Sequence, residues 1–523
     1  MKTKTPPAPK KSAAKPSARA KIFALPALAK ELEARRAEKK KIVHCHGVFD
    51  LLHVGHIRHF TEAKAMGDLL VVTLTPDQHV NKGPHRPAFP HDLRAEVIAA
   101  LGMVDYVAVN EWPTAVNTIK LLKPDIYAKG PDYKDASKDV TGGIKIEEDA
   151  VRSVGGVIRC TEDITFSSSK LLNRHMPQFS GAAAGFLERL RQRYTGSDVG
   201  ELIGGLRKLK VLVIGDAILD QYVYCAAMGK SSKEPIIAAQ YMSTVTHAGG
   251  ALAIANHLGE FCDNVHLLTY LGAKDSQEAL VRSNLKPNVV PNFVFKTDSP
   301  TIVKRRFVQE TLLTKLFEIY EMNDAPLEGR EEDALCAFLE KKLLDYDVVL
   351  AADFGHGLIT SRAVELLAKK SRFLSVMTQI NAANIGFHTI SKYPRADYVC
   401  IQESELRLDH RNKRDGLKPL IEAVAKRLSV STVMVTRGTH GTLLYRAGEG
   451  FSECPAFAIK VVDRIGAGDA VLAMTTLASA GKLPTEIIGF LGNLAGAQAV
   501  QIIGNASSIS RVAMLKSVEA LLK

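Results

Sequence analysis

Two short runs combine residue types at spacings that suit phosphate chemistry. The first is His53-Val54-Gly55-His56 within GVFDLLHVGHIRHF (47–60), directly after a strand-like run and at the opening of a helix-like one. A helix start offers unpaired N–H groups and a partial positive charge, which attract a phosphate. Gly55 lets the backbone come close to a ligand. Two imidazoles at this spacing can bracket the same phosphate oxygens, and such donors act most strongly on the extra charge of a five-coordinate phosphorus. His44 and His46 stand just upstream. Near a strand end, plain hydrogen-bonding roles are expected for them.

The second run is Gly466-Ala467-Gly468-Asp469 in VVDRIGAGDAVLAMTTLASAG (461–481). Small residues at a helix start make an anion hole. A carboxylate there can accept the proton of an alcohol as it attacks a γ-phosphate. The run is not a dinucleotide fingerprint, because Val471 takes the third glycine position. Nor is Gly229-Lys230-Ser231 a Walker A loop, since Tyr224 stands where the earlier glycine belongs.

Both runs need scaffolds. Leu25 to Lys40 reads as one helix, KIVHCHG as a strand, and helix-like and strand-like runs then alternate to DIYAKG, which argues for βαβ units on a parallel sheet. A second alternation begins at KVLVIGD (210–216), with DYDVVLAADFG, RFLSVMTQIN, ADYVCIQ and STVMVTRG as buried strands. Residues 222–246 and the TIVKRRFV/LLTKLFEIY pair stand apart from it and are expected to form a small β lid. The expected organisation is a disordered basic tail over 1–24, a first α/β domain over 25–175, a linker over 176–208 and a second α/β domain over 209–523.

Composition agrees with two globular domains: 523 residues, 46% hydrophobic and 24% charged. Net charge is 68 − 56 = +12, and residues 1–40, with 12 Lys/Arg and 3 Asp/Glu, hold +9 of it. The charge therefore reads as a solubilising arm, and nucleic acid is not an expected partner. The seven cysteines form no CxxC and no zinc spacing, and the N-terminus has no apolar signal-peptide core, so a reducing cytoplasm is expected. No apolar run is long enough to suggest a membrane span.

The first run resembles the HxGH nucleotidyltransferase superfamily, in its cytidylyltransferase-like branch, over about 41–174. The likeness extends to NKGPHRPAF, LRAEVIAALGMVDYV, KPDIYAKGPDY and FSSSK (166–170). It implies a Rossmann-like domain in which His53 and His56 stabilise the transition state at the α-phosphate of ATP or CTP. It further implies that Ser168, Ser169 and Lys170 hold phosphates, that Lys82 and Arg86 act on the incoming phosphate or the nucleotide, and that Gly47, Phe49 and Asp50 shape the first loop. A sugar or polyol phosphate would attack and pyrophosphate would leave, with Mg²⁺ shielding the triphosphate.

The second region resembles the ribokinase-like sugar kinases, the PfkB family, over about 209–523. GDAILDQYVY (215–224) then supplies Asp216 and Asp220 to sugar hydroxyls, and HAGGALAIANHLG (247–259) supplies Gly249 and Gly250 to the substrate motif. TRGTHGTLLY (436–445) supplies Thr436, Gly438 and Gly441 to the nucleotide, with Asn493 near the adenine. The likeness makes Asp469 the catalytic base, Gly466, Ala467 and Gly468 the anion hole, and Glu405 the organiser of Mg²⁺. The sequence departs from that family at Gln402 (usually Asn), at Arg464 (often Thr), and at Leu252, Ala253 and Ile254, where an Asn is usual. His356 stands where heptose kinases carry Lys.

Together the two halves resemble the bifunctional heptose kinase/heptose-1-phosphate adenylyltransferase family of bacterial lipopolysaccharide precursor synthesis, with the domain order reversed. This implies ATP-dependent phosphorylation of a heptose-like sugar or sugar phosphate, and nucleotidyl transfer from ATP or CTP to a sugar 1-phosphate. Two other readings stay open. One is a cytidylyltransferase for a non-heptose polyol or sugar phosphate with its matching kinase. The other is a nucleotidyltransferase carrying a non-catalytic sugar-binding or dimerising PfkB domain. The expected partners are sugars, sugar phosphates, nucleoside triphosphates and a second copy of the chain, joined through the lid.

Overall fold

Short β-branched runs set the architecture of both halves. The computed structural model describes residues 18–80, 86–130, 143–162, 179, 181–311, 313–382, 384–458 and 460–523. The chain divides into two units, the first ending at Gln178 and the second beginning at Phe179.

In the first unit six parallel strands lie in the order Ile22–Phe23, Tyr106–Val109, Leu69–Leu74, Ile42–Gly47, Ile126–Lys129, Val157–Cys160. Ile42–Gly47 and Leu69–Leu74 are almost wholly buried, as expected of parallel strands covered on both faces. The helix Val54–Ala65 contributes Phe60 and Ala63 to a core with Val43, Cys45, Leu70 and Val72. The chain order reverses at Ile42–Gly47, and open α/β sheets bind ligands beyond the carboxyl ends of strands at such a switch. The HxGH run begins there.

Residues 18–24, placed by the sequence in a disordered tail over 1–24, are ordered. From Ala18 the chain forms a 3₁₀ turn and an edge strand, with Ile22 paired to Val107. Lys21 Nζ donates to the carbonyls of Leu101 (2.9 Å) and Val104 (2.8 Å). The apolar pair Ile22-Phe23 outweighs the basic composition around it. Residues 1–17 lie outside the described residues.

The second unit has a nine-stranded sheet. Its order is Val289–Lys296, Asn264–Gly272, Lys210–Gly215, Val348–Asp353, Leu374–Thr378, Tyr398–Gln402, Thr432–Thr436, Thr442–Arg446, Gly450–Cys454, and only the last two pairings are antiparallel. The helix Ala467–Ala480 is buried from Ala470 to Ser479, matching its apolar character all round. A separate four-stranded sheet, in the order Thr314–Glu321, Ile302–Gln309, Ala217–Lys230, Ile237–Gly250, forms the expected lid.

The expected linker over 176–208 is instead mostly helical and part of this unit. Gly181–Arg193 and Gly196–Gly205 bury Phe186, Leu187, Leu190, Val199 and Ile203 in its main core. Thr195 and Asp198 close a capping box on the second helix. The apolar residues of both helices are interspersed with Gly, Ser and basic residues, which resembles a connector in the sequence.

Two candidate active sites

At the first site, His53 is the N-cap of Val54–Ala65, and its Nδ1 accepts a hydrogen bond from Gly55 N at 3.1 Å. In the neutral ring the proton therefore sits on Nε2, as a donor. The His53 and His56 rings stack, with centroids 3.9 Å apart and planes at 24°. Phe49, at φ 47°, turns its ring edge-on to His56, 5.3 Å between centroids. A Cβ on Gly47 would lie 2.9 Å from the Phe49 ring, so that ring needs glycine at 47.

His44 and His46 are hydrogen-bonded as expected. Both reach Thr73 Oγ1, at 2.7 and 2.8 Å, and burial together with the nearby Lys129 charge lowers His44 to about 3. Burial and Lys129 likewise lower His59, which is bonded to Thr161 Oγ1, to about 4.

Asp50 and Arg86 face one another. They form an ion pair at 2.6 Å with side chains 1% and 2% exposed. Asp50 also accepts from the backbone N–H of Ala88 (2.6 Å) and Phe89 (3.3 Å). The pair pins the 86–90 segment beside the histidine loop, as the loop-shaping role expected for Asp50 requires, and it engages the Arg86 guanidinium inside the fold. Arg94, not singled out from sequence, binds the carbonyls of Val48, Thr75 (2.9 Å) and Phe89 (2.9 Å) and the carboxylate of Asp77 (2.6 Å). Its one signal is an arginine at a buried position of His91–Ala99. Lys82, Ser168, Ser169 and Lys170 lie outside the described residues.

At the second site, Gly466 is the N-cap of Ala467–Ala480 at φ 80°, followed by Ala467, Gly468 and Asp469 in the first turn. Burial, then the Asp220 charge, push the Asp469 carboxyl up to about 7, with Lys304 pulling the other way. A group near neutrality is suited to accept a proton. Asp220 projects from Ala217–Lys230, paired with Arg306 Nη1 at 2.5 Å, and Asn505 Nδ2 donates to it at 3.3 Å. A Cβ on Gly466 would lie 2.0 Å from Asn505 Oδ1. Asn505 thus lies against both Gly466 and Asp220. Gly250, at φ 54°, turns the chain into the helix Ala251–Leu258.

Asp216, expected to meet sugar hydroxyls, is wholly buried and accepts from His356 N (3.2 Å) and Leu358 N (3.3 Å). Burial and the neighbouring Asp353 raise it to about 6. It anchors the DFGHG turn, and of the two aspartates only Asp220 stands with Asp469. Lys304 and Arg306 were also missed. They occupy alternate, buried positions of Ile302–Gln309, facing inward with Asp220. Charged residues at every second position of a buried strand were the available signal.

Thr436, Gly438, Gly441 and Asn493 gather at one hairpin. Thr436 pairs with Thr442, and Asn493 Nδ2 donates to Thr442 Oγ1 (2.8 Å) and to Gly489 O (2.9 Å). Asn493 thus spends its amide donors inside the fold. A Cβ on Gly441 would lie 2.1 Å from Cys454 O, at φ 76°, so this glycine serves the turn. Glu405 accepts from Ile380 N and Gln402 N, both at 3.1 Å, and burial raises its carboxyl. Among the described residues no three His, Cys, Asp or Glu side chains cluster as a metal site.

A family model described as pfkB family carbohydrate kinase matches residues 208–511, and one described as Cytidylyltransferase-like matches residues 44–174. The "Bifunctional protein HldE" of Geobacter metallireducens is 42% identical over 149 residues, 28% of this chain and 28% of that protein. The "Bifunctional protein HldE" of Campylobacter jejuni is 26% identical over 319 residues, 60% of this chain and 65% of that protein. The chain thus spans less than two thirds of the length of either relative. A crystal structure of phosphofructokinase-2 from Escherichia coli with substrates and products aligns over 60% of this chain and 100% of that one, at 16% identity and a TM-score of 0.50, a likeness of fold alone.

Proposed function

The chain belongs to the pfkB family of carbohydrate kinases, and we propose that it is a bifunctional enzyme of nucleotide-activated sugar synthesis. The second unit transfers the γ-phosphoryl group of ATP to a hydroxyl of a heptose-like sugar or sugar phosphate, releasing ADP. The first unit joins ATP or CTP to a sugar 1-phosphate and releases pyrophosphate. The observation that carries this reading is the presence of two helix starts, one per unit, each joined to a matched proton-handling group: the stacked His53–His56 pair and Asp469.

At the kinase site Asp469 takes the acceptor's hydroxyl proton while the Gly466–Gly468 turn receives the phosphoryl oxygens. Lys304 is 7% exposed, and its ammonium lies 5.1 Å from the Tyr320 ring centroid. This cation favours an anionic acceptor, a sugar phosphate over a free sugar. At the other site His53 Nε2 and His56 donate to the α-phosphate as charge builds on it.

A magnesium ion here would be carried mainly by the triphosphate and water, with Glu405, whose carboxyl burial raises, as the protein group beside it. That ion would neutralise phosphate charge. No helix among the described residues is long and apolar enough to cross a membrane. The seven cysteines are free, which supports a reducing compartment, the cytoplasm. The lid's outer face carries exposed Phe317 and Ile319, and Met228, Ile237 and Tyr241 are exposed on its other strands. This apolar surface supports pairing of the lid with a second copy.

The test is a panel of sugars and sugar phosphates offered with ATP and with CTP, read as ADP and as pyrophosphate. The expected result is ADP with a sugar phosphate and pyrophosphate with a sugar 1-phosphate. Release of neither product across the panel would refute the reading.

A further inference from the structure

We propose that Lys315 and Tyr222 are positioning residues that lock the lid onto the loop carrying the kinase anion hole, with the buried carboxylate of Asp463 as their shared receiver. The proposal rests on the kinase reading above. Asp463 lies three residues before Gly466. Its Oδ1 accepts from Lys315 Nζ at 2.5 Å and from Ile465 N at 3.2 Å. Its Oδ2 accepts from Tyr222 OH at 2.7 Å and from Gly504 N at 2.9 Å. Lys315 and Tyr222 belong to two lid strands that Ile302–Gln309 separates. Two non-adjacent strands of the lid therefore converge on one side chain of the glycine loop.

Further contacts make this a joint. Asn505 Nδ2 reaches Asp220 on the lid at 3.3 Å. A Cβ on the neighbouring Gly504 would lie 2.8 Å from the Tyr222 ring, so lid and loop meet there with no room for a methyl group. Burial alone would raise the Asp463 carboxyl, but the Lys315 ammonium and the Tyr222 hydroxyl, with the N–H groups of Gly504 and Ile465, hold it below its ordinary value. A buried carboxylate stripped of its cation is strongly unfavourable. The loop that starts Ala467–Ala480 thus keeps its geometry only while the lid presents Lys315 and Tyr222. Lid position and anion-hole geometry become a single equilibrium, so the phosphoryl site is assembled when the acceptor is covered.

The test uses the full chain, ATP, and the acceptor that the unaltered protein phosphorylates best. Lys315→Ala should lower kcat roughly ten- to a hundredfold, the weight of a charge-assisted hydrogen bond to a buried carboxylate. Lys315→Arg should keep most of the activity. The Lys315 side chain is 34% exposed, so a small soluble cation can reach its place. Methylammonium should restore part of the lost rate, whereas tetramethylammonium, lacking an N–H, should not at equal ionic strength. An undiminished kcat in Lys315→Ala, or equal rescue by both cations, overturns the lock.

Hydrogen exchange without substrate separates the lock from the kinase reading. In Lys315→Ala the amides of Thr314–Glu321 and of residues 463–468 should both exchange faster. Faster exchange in the strand alone overturns the coupling. If both segments loosen in the variant while the unaltered chain phosphorylates no acceptor, the kinase reading falls and the lock stands.

Discussion

Asp220 fills the space that a side chain at Gly249 would need: a Cβ at 249 would stand 2.2 Å from Asp220 Oδ2. The two lie on paired lid strands, with Gly249 opposite Ile218 in the register. The absent side chain lets the carboxylate lie across its neighbour strand and meet Arg306 and Asn505. Gly249→Ala should displace Asp220 at a cost of about 1–3 kcal/mol in stability, the usual scale for overpacking. The acceptor KM should rise while pyrophosphate release by the first unit is kept. Urea unfolding and two separate product assays check this.

Asp469→Asn should lower ADP formation by roughly 10²–10⁴-fold, the usual worth of a general base, and leave pyrophosphate release intact. Equal ADP formation in both proteins would remove Asp469 from catalysis.

The pH dependence follows from the raised carboxyl of Asp469, at about 7. Its basic form accumulates as pH rises through that value, so kinase kcat/KM should climb on the acid limb near pH 7. Lys304 pulls the group down, so Lys304→Met should shift the limb to higher pH. Stability runs the opposite way. An acid whose folded-state pKa is raised costs stability as pH rises from its unfolded value towards its folded one. Asp469→Asn should therefore melt higher than the unaltered chain at pH 8, with the gap closing towards pH 4.

His56→Ala should reduce pyrophosphate release by roughly 10²–10³-fold, as for loss of one transition-state donor, with ADP formation unchanged. His53→Ala should add a second defect, because the ring also caps Val54–Ala65. Loss of a cap is worth about 0.5–2 kcal/mol. Thermal melting distinguishes the two variants.

Arg86→Met leaves the Asp50 carboxylate buried without its cation. Breaking such a pair is worth about 3–5 kcal/mol, so the variant should unfold at markedly lower urea. If Arg86 instead bound nucleotide, stability would hold and only the nucleotide KM would rise.

Both helix starts were legible because their chemistry is local. A capping histidine followed by glycine, or two small residues ahead of an acid, declares a helix N-terminus within a few positions. The alternation of strands and helices revealed two α/β units, and the isolated strands marked the lid. The helices over 181–205 are not legible as core in the sequence, because their apolar positions touch a core built from distant residues. Asp50 and Arg86 carried the right residue types for a ligand, yet they answer one another across 36 positions.

The sequence by itself determined which groups can act: two imidazoles and one carboxylate, each at the mouth of a helix, and the class of anion they attract. Only the tertiary structure decided which charges remain for a substrate. Asp216 was spent on a turn and Asp50 on an arginine, whereas Asp220 was brought to Asp469 and joined by an asparagine 285 positions away. The reason is physical. A buried charge takes whatever partner the paired strands bring within about 3 Å, and strand order is settled by burial across the whole sheet.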